Sequence, residues 1–341
     1  MGRAPAGQER GGGFCERWRG RARFGGTVAS AVALATGALV ALASSPALGG
    51  PAPATASSAA APPHVMVVMM ENTSYKQVMG KRNEPFAKAL AKHNGLATKS
   101  YAAGHPSLPN YLALVSGSTE GVTDDGSPSS HSFPSVRTVA DQLHAAGYTA
   151  EAFAEDLPAH PSADSGYYVV HHDPWEYFPD TSITVASATA LSTALNSAHP
   201  PDFVWFTPNV MDDGDGETTE AASLTGQNAF LSSFIPSVQA TAWYRAGGQI
   251  VIEWDESLAT DASGINGGDG GHVATVVVSA VNEVTRPKVR TTVDTVGVLH
   301  SIEWRYGLPY LAGAAASANG NIDGLLAPTV TLARRAAHSA R

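Results

Sequence analysis

The chain has 341 residues, of which 43% are apolar and 8% aromatic, a composition typical of globular proteins. Acidic side chains outnumber Lys and Arg by 30 to 21, so the formal net charge is −9. This negative balance argues against nucleic acid as a partner and against simple electrostatic binding to anionic membranes. The length is compatible with a single large α/β domain.

The first 50 residues have the pattern of a signal peptide. Six arginines within residues 1–24 precede an apolar stretch at 27–43, and small residues follow it. This stretch is too short and too rich in alanine for a stable membrane anchor. We therefore predict that residues 1–50 are removed and that the protein is secreted. Removal would take away Cys15, the single cysteine, and leave 15 basic against 28 acidic side chains, a net charge of −13.

Predicted strands and helices alternate along the rest of the chain. Residues 51–63 are predicted as a linker, 64–311 as the main domain and 312–341 as an alanine-rich peripheral tail. Apolar runs predict strands at 64–70, 148–154, 202–207, 249–254 and 272–281. Helical spacing and end signals predict helices at 84–93, from Pro106 to about Gly117, and at 135–146, 227–243 and 293–306.

The first predicted strand, His-Val-Met-Val-Val-Met-Met at 64–70, has no polar alternation. Such a run indicates a strand that is buried on both faces, as in a parallel sheet covered by helices. The fold class predicted from this alternation is α/β, a three-layer α/β/α arrangement with a mostly parallel central sheet. Two polar, glycine-containing segments, 119–132 and 259–271, are predicted as loops that could act as lids or simply be mobile.

The stretch His105-Pro106-Ser107-Leu108-Pro109-Asn110-Tyr111 places a hydroxyl at the predicted start of a helix. Proline suits a first helical turn, and the free N–H groups and positive end of a helix collect anions. A nucleophile at Ser107 could therefore meet a phosphate that the backbone already holds. The local sequence leaves an alternative open, in which the serine only caps a turn.

Acidic residues follow four of the predicted strands, and these are Glu71, Glu155-Asp156, Asp212-Asp213 and Asp255-Glu256. In an open parallel sheet the carboxyl ends of the strands share one edge, where ligands bind. Several like charges there would repel each other unless a cation or a basic partner lay among them. Carboxylate and amide oxygens favour Mg, Ca or Mn, and Zn becomes possible if a histidine joins. The pattern predicts a divalent metal site, although each acidic group alone could be an ordinary polar turn.

Several motifs, in the same order, resemble the phosphoesterase family, which contains secreted acid phosphatases and bacterial phospholipases C within the alkaline-phosphatase-like superfamily. The resemblance covers residues 64–311 and is greatest to short secreted acid phosphatases, some of which act on phosphatidylinositol 3-phosphate. The motifs are Met70-Glu71-Asn72-Thr73-Ser74, the serine stretch, Phe153-Ala154-Glu155-Asp156-Leu157-Pro158, His172-Asp173-Pro174-Trp175, Glu253-Trp254-Asp255-Glu256 and Tyr306-Gly307-Leu308-Pro309.

The resemblance implies an alkaline-phosphatase-like fold and metal-dependent hydrolysis of phosphate esters. It implies that Ser107 takes the phosphoryl group, that Asn110 steadies the phosphate oxygens and that His105 flanks the site. The metal ligands that it implies are Glu71, Asn72, Asp255 and Glu256. Further candidates for the site are Asp212, Asp213, His172 and His272.

Two segments depart from the family pattern. Residues 212–216 lack the histidine that relatives usually have, and Asp294-Thr295-Val296 stands where relatives often have His-Tyr. His272 could compensate, or could be a structural residue at the start of a strand.

The predicted function is a secreted metal-dependent phosphomonoesterase that acts through a phosphoserine at Ser107. Its expected partner is a small phosphate ester or a phosphoinositide head group. Two alternatives stay open, namely a phospholipase C-like phosphodiesterase and a non-enzymatic secreted relative whose site has decayed.

Overall fold

The computed structural model of the protein describes residues 63–80, 84–216 and 219–326. The predicted signal peptide, nearly all of the predicted linker and the last fifteen residues of the predicted tail lie outside these ranges. Within the described ranges, no helix combines the length and the apolar character needed to span a bilayer.

A nine-stranded sheet forms the centre of the fold, in the order β4-β3-β5-β1-β6-β7-β2-β8, with β9 paired to β2. Strand β7 runs antiparallel to its neighbours β6 and β2, and the other strand pairs are parallel. The strands are β1 (Val65–Met70), β2 (Gly95–Tyr101), β3 (Ala150–Ala154), β4 (Val185–Ser187), β5 (Phe203–Thr207), β6 (Gln249–Trp254), β7 (His272–Val278), β8 (Lys288–Val289) and β9 (Val293–Asp294).

Helices pack on both faces of this sheet. Val65, Val67 and Met69 of β1 belong to one buried apolar cluster, whereas the alternate residues of β1 belong to a second. The three-layer α/β/α prediction is therefore confirmed. The helices are α1 (Tyr75–Val78), α2 (Pro85–His93), α3 (Ser107–Ser116), α4 (Val139–Ala145), α5 (Leu191–Leu195), α6 (Val210–Asp213), α7 (Glu220–Gln239), α8 (Ala242–Arg245), α9 (Ala280–Thr285), α10 (Thr295–Tyr306) and α11 (Asp323–Leu326).

The ends of several elements differ from those predicted. Helix α4 begins at Val139 rather than at residue 135, because Thr138 and Asp141 form a reciprocal capping box. The predicted helix 227–243 is two helices, and the first begins at Glu220, where Thr219 caps it. Strand β2 was not predicted, because Lys99 interrupts its apolar run. The first two residues of the last predicted helix, 293–306, form the short strand β9, and the helix itself begins at Thr295.

The segment that follows residue 311 is packed rather than peripheral. Ala314, Ile322 and Leu325 are buried in the apolar cluster that also contains residues of α10, and the N–H of Ile322 donates to Ser301 Oγ at 2.7 Å. The predicted domain boundary at 311 is therefore too early, and the folded unit extends at least to Leu326. The alanine-rich composition concealed the few large apolar residues that hold this segment.

Glu303 of α10 is a buried carboxyl group, and none of the ion pairs among the described residues includes it. Its Oε1 accepts the N–H of Leu311 at 2.8 Å, while its Oε2 and Oε1 of the adjacent Gln142 have no partner among the described residues. Burial raises the pKa of Glu303 to about 8. A proton on Oε2 would satisfy both of the unpaired oxygens.

Replacing Glu303 by Gln should flatten the dependence of stability on pH. The pKa of about 8 lies above the ordinary 4.5, so the carboxyl favours the folded state in acid and loses this effect as the pH rises towards 8. Between about pH 5 and 7.5, the free energy of unfolding should fall by roughly 1 kcal/mol per pH unit less in Glu303→Gln than in the wild type. Urea denaturation in the presence of chelator measures this slope. Glu283→Gln, on an exposed residue of α9, is the matched control, and equal slopes in all three proteins would contradict the assignment.

Candidate active site

The carboxylate of Glu71 forms the centre of the candidate site. Glu71 follows β1 directly and is fully buried. Its Oε2 accepts a hydrogen bond from Ser107 Oγ at 3.0 Å, and its Oε1 accepts one from the Tyr111 hydroxyl. His172 Nε2 lies 3.2 Å from Oε1. One carboxylate therefore joins the end of β1 to α3 and to the 3-10 turn that contains His172.

Ser107 is the first residue of α3, as predicted, and it is 5% exposed. The amide of Asn110 shapes the loop that leads into this helix. Asn110 Oδ1 accepts the N–H of Gly104 at 3.0 Å, and Nδ2 donates to the carbonyls of Gly104 and Pro106 at 2.8 and 3.2 Å. Both amide hydrogens are thus used by the backbone. Asn110 therefore holds the loop in place, and its amide has no free hydrogen for the predicted contact with phosphate.

The start of α3 already holds a carboxylate. The N–H of Leu108 donates to Asp125 Oδ1 at 2.9 Å, and Asp125 belongs to the predicted loop 119–132. The N–H groups at this helix end were predicted to be free for an anion, and for Leu108 this is not so. Asp125 is exposed, and its carboxylate occupies the position where the helix end attracts negative charge.

Strand register brings Asp255 to Glu71. Strands β1 and β6 are parallel, with Met70 opposite Trp254, so the residues that follow them emerge side by side. The N–H of Asn72 donates to Asp255 Oδ1 at 3.0 Å. Asp255 Oδ2 is buried and has no partner among the described residues.

Asn72 is a partly buried residue beside Glu71. Its backbone has a φ of 50°, which is left-handed, and its Nδ2 donates to Asp215 Oδ1 at 2.9 Å and to Glu71 Oε2 at 3.3 Å. The predicted role of Asn72 as a metal ligand remains a prediction, since its amide nitrogen is oriented towards two carboxylates.

His172 and Asp213 complete the buried cluster. His172 Nδ1 lies 3.0 Å from Asp213 Oδ2, and the ring stacks on Tyr111 with the centroids 5.3 Å apart. Asp213 is the last residue of α6, which follows β5 at the same edge of the sheet. His172 Nε2 faces Glu71 without a well-formed hydrogen bond. Two of the further candidates from the sequence therefore lie in the cluster.

The cluster carries more negative charge than its neighbours balance. Burial, followed by the charges of Asp255 and Asp213, raises the pKa of Glu71 well above its usual value. Burial likewise raises the pKa of Asp255 to about 6. Burial alone would lower the pKa of His172, but the charge of Asp213 and the hydrogen bond to it outweigh this effect, and the pKa is raised. Among the described residues, the ion pairs of this cluster involve histidine and neither Lys nor Arg.

This donor set fits a divalent cation. Glu71, His172 and Asp213 each offer a ligand atom, and these atoms lie within 4.8 Å of one another. His171, His172 and Asp215 form a second group of the same kind. The unpaired Asp255 Oδ2 adds a further oxygen nearby. Carboxylates together with imidazole are compatible with Mn or Zn as well as with Mg or Ca.

His105 and Glu256 form a separate pair beside the cluster. His105 Nδ1 lies 2.7 Å from Glu256 Oε2, and Nε2 lies 3.3 Å from the carbonyl oxygen of Asp261. A carbonyl only accepts, so Nε2 is the donor in the contact with Asp261, and a protonated Glu256 would donate to Nδ1. Burial and the charge of Asp255 raise the pKa of Glu256 to about 10. Ligation of a metal by Glu256 remains a prediction.

Two sequence candidates do not reach the cluster. Asp212 lies against Glu155, beside a shallow cavity that Phe230 and Phe234 line. The ring of His272 stacks between Tyr75 and Tyr101, with centroids 4.5 and 5.0 Å away, and its Nε2 lies 3.1 Å from the Thr98 carbonyl oxygen. His272 therefore does not compensate for the histidines that the sequence lacks; His172 is the histidine at the centre of the cluster.

Sequence reasoning assigned no role to Tyr111, His171 or Asp215. Tyr111 lies four residues after Ser107, and this helical spacing could have indicated that both face Glu71. Asp215 belongs to the same acidic run as Asp213, and His171 precedes His172 directly. The sequence therefore contains a pattern for each of these residues, but several other polar turns could equally have supplied side chains to the site.

Residues 81–309 match the Phosphoesterase family. The chain belongs to the phosphoesterase family. This phosphoesterase is 30% identical over 251 residues to the phosphatidylinositol-3-phosphatase of Mycobacterium tuberculosis, a match that covers 72% of this chain and 77% of the relative. It is 24% identical over 270 residues to a probable acid phosphatase of Kluyveromyces lactis, which covers 74% of this chain but only 60% of the relative.

The fold of this phosphoesterase is similar to that of a solved protein of the alkaline phosphatase superfamily from Vibrio parahaemolyticus. The TM-score is 0.52 at 11% identity, and the match covers 74% of this chain and 68% of that one. The predicted fold family is confirmed by this likeness. Family membership also confirms the predicted enzyme class, a phosphoric ester hydrolase.

Asp213→Asn should weaken cation binding by this phosphoesterase at least about tenfold, because it removes a buried charge that contacts His172. The neighbouring Asp212→Asn is the matched control, since Asp212 faces Glu155 instead. Electron paramagnetic resonance titration with Mn²⁺ measures the free ion at equilibrium. Equal affinity in the two variants would show that the cluster around Glu71 is not the cation site.

Proposed function

We propose that this phosphoesterase is a metal-dependent phosphomonoesterase that transfers the phosphoryl group of its substrate to Ser107. One observation carries the proposal, which is the hydrogen bond of 3.0 Å from Ser107 Oγ to Glu71 Oε2 inside a buried acidic cluster. A serine hydroxyl becomes an effective nucleophile when an adjacent base takes its proton. The position of Ser107 at the first residue of α3, where it is almost fully buried beside the carboxylates, supports the same role.

Glu71 is suited to accept the proton of the Ser107 hydroxyl. The Tyr111 hydroxyl and His172 approach its other oxygen and fix the carboxylate so that Oε2 faces Oγ. When Oγ attacks phosphorus, the bond from phosphorus to the ester oxygen breaks and the alcohol leaves, and water then hydrolyses the phosphoserine.

Glu71, Asp213, Asp255 and His172 are the residues that would hold a divalent cation. When bound, such a cation neutralises the charge that develops on the phosphate oxygens. His105 lies two residues before Ser107 along the chain, and its Nδ1 is 2.7 Å from Glu256 Oε2. We assign this pair to protonate the oxygen of the leaving alcohol.

The proposed substrates are phosphate monoesters, including phosphatidylinositol 3-phosphate. The name of the relative in Mycobacterium tuberculosis supports the phosphoinositide, and the name of the Kluyveromyces lactis relative, a probable acid phosphatase, supports hydrolysis of phosphate monoesters. We also propose that the protein is secreted, which the basic, apolar and small-residue pattern of residues 1–50 supports.

Ser107→Ala should abolish turnover of p-nitrophenyl phosphate, with a loss of at least about 1000-fold in kcat, because it removes the hydroxyl that donates to Glu71 Oε2. Acid quenching of the wild type during turnover, followed by mass spectrometry, should detect phosphate on the peptide that contains Ser107. Ser232→Ala, on the exposed side of α7, is the control and should retain full activity. Substantial turnover by Ser107→Ala would reject the assigned nucleophile.

Chelation and a substrate panel separate the proposal from the phosphodiesterase alternative. Treatment with EDTA should remove most of the activity, and titration with Mg²⁺, Ca²⁺, Mn²⁺ or Zn²⁺ should restore it. At saturating cation, kcat/KM for p-nitrophenyl phosphate and for short-chain phosphatidylinositol 3-phosphate should exceed that for bis-p-nitrophenyl phosphate and phosphatidylcholine by at least about 100-fold. Faster hydrolysis of the diesters would favour a phospholipase C-like enzyme, and activity that persists in EDTA would contradict the metal requirement.

A further inference from the structure

Asp125 places a negative charge directly beside the proposed nucleophile. Its Oδ1 accepts the N–H of Leu108, the residue after Ser107, at 2.9 Å. Pro106 precedes the helix and makes no side-chain hydrogen bond to cap it, so a carboxylate from the loop 119–132 caps α3 instead. The N–H of Leu108 is therefore already paired with a negative group of the protein itself.

Contacts within the loop and with the rest of the fold hold Asp125 in this place. On one side of it, Asp124 Oδ1 accepts the N–H of Gly126 at 2.8 Å and lies 2.6 Å from His131 Nε2. On the other side, the hydroxyl of Tyr177 donates to the Gly126 carbonyl oxygen at 2.9 Å. The residues that flank Asp125 are thus fixed, and the carboxylate remains at the start of α3.

The charge of Asp125 also reaches other groups of the candidate site. Burial and the charge of Asp255 raise the pKa of Glu256, and the charge of Asp125 adds to them. Burial and the charge of His172 lower the pKa of His171, and the charge of Asp125 opposes them. Asp125 therefore lies within electrostatic range of two different parts of the site.

A phosphoryl group on Ser107 would lie close to this charge. Ser107 Oγ and the N–H of Leu108 belong to adjacent residues, and that N–H contacts Asp125 Oδ1. Standard bond lengths therefore keep a phosphorus atom on Oγ within roughly 8 Å of the carboxylate oxygen, whatever the direction of the new bond. At this separation two negative groups repel each other appreciably, even near the surface of a protein.

We propose that Asp125 sets the affinity of the site for phosphate, by weakening the binding of any phosphate group held at Ser107. The inference rests on the proposed phosphomonoesterase activity and deepens it, because it concerns how the phosphate product leaves. The buried carboxylates and His172 would hold a cation that attracts phosphate, and the fixed charge of Asp125 opposes that attraction without cancelling it. Phosphate esters of every alcohol are affected alike, since the repulsion acts on the phosphate itself.

Asp125→Asn tests the charge while it keeps an oxygen that can accept the Leu108 N–H. Inorganic phosphate is the probe, and its dissociation constant is measured by calorimetry and as competitive inhibition of p-nitrophenyl phosphate hydrolysis, at saturating cation and neutral pH. The dissociation constant should fall about tenfold in Asp125→Asn, as expected for a partly screened charge at this distance. Asp124→Asn is the matched control, because it removes the neighbouring charge of the same loop, and it should stay within about threefold of the wild type.

Substrates of different charge give a second measurement. A phosphate monoester carries two negative charges at neutral pH and a diester carries one, so Asp125 repels the monoester about twice as strongly. The ratio of kcat/KM for p-nitrophenyl phosphate to that for bis-p-nitrophenyl phosphate should therefore rise about threefold in Asp125→Asn. A purely structural role of Asp125 would not change this ratio.

Asp125→Ala separates the charge from the cap. It removes both, so it should bind phosphate more tightly, as Asp125→Asn does, and should also have a lower Tm. Unchanged or weaker phosphate binding in Asp125→Asn overturns the inference and leaves Asp125 as a helix cap. An equal gain in Asp124→Asn overturns the assignment to Asp125. If the wild type neither binds phosphate nor hydrolyses p-nitrophenyl phosphate with any of the cations, the phosphomonoesterase itself is overturned, and this inference with it.

Discussion

The buried carboxylate of Glu71 is the constraint around which the catalytic end of the molecule is organised. Three aspartates surround its charge, one from the end of β6, one from the end of α6 and one from the turn after α6, so it needs neutralisation by donors, protons or a cation. The Ser107 and Tyr111 hydroxyls, the Asn72 amide and His172 meet its two oxygens. This single carboxylate therefore fixes the positions of Ser107, of α3 and of His172 relative to one another.

Buried acids elsewhere in the fold are accommodated differently. Glu303 has one backbone donor and an amide neighbour, so a single proton satisfies it. Glu71, Asp213 and Asp255 lie too close together for each to be satisfied in that way without losing the charges that a metal site requires. Both kinds of carboxyl group are buried. The number of neighbouring carboxylates, rather than burial, therefore distinguishes the candidate site from Glu303.

The sequence alone predicted the architecture well, because an apolar run such as that of β1 is a direct consequence of a buried parallel sheet. It could also indicate Ser107, Glu71 and Asp255, which adjacent parallel strands and a helix start bring together. It could not choose between Asp212 and Asp213, because a one-residue step on α6 decides which carboxylate faces His172. Nor could it show that Asn110 is used up by the backbone or that Asp125 reaches Leu108, since both depend on loop conformations.

Because the segment after residue 311 is packed, the end of the family match and the end of the folded unit lie at different residues. The region shared with the family ends at residue 309, whereas the apolar cluster draws on Ile322, Leu325 and Leu326. Each of these side chains contributes about 2 kcal/mol through burial, against a typical net stability of only about 5–15 kcal/mol for a domain. Homology therefore marks where the shared chemistry stops, while the solvent-excluded interior marks where this particular chain becomes self-supporting, and a truncated form cut at the first border would leave α10 partly uncovered.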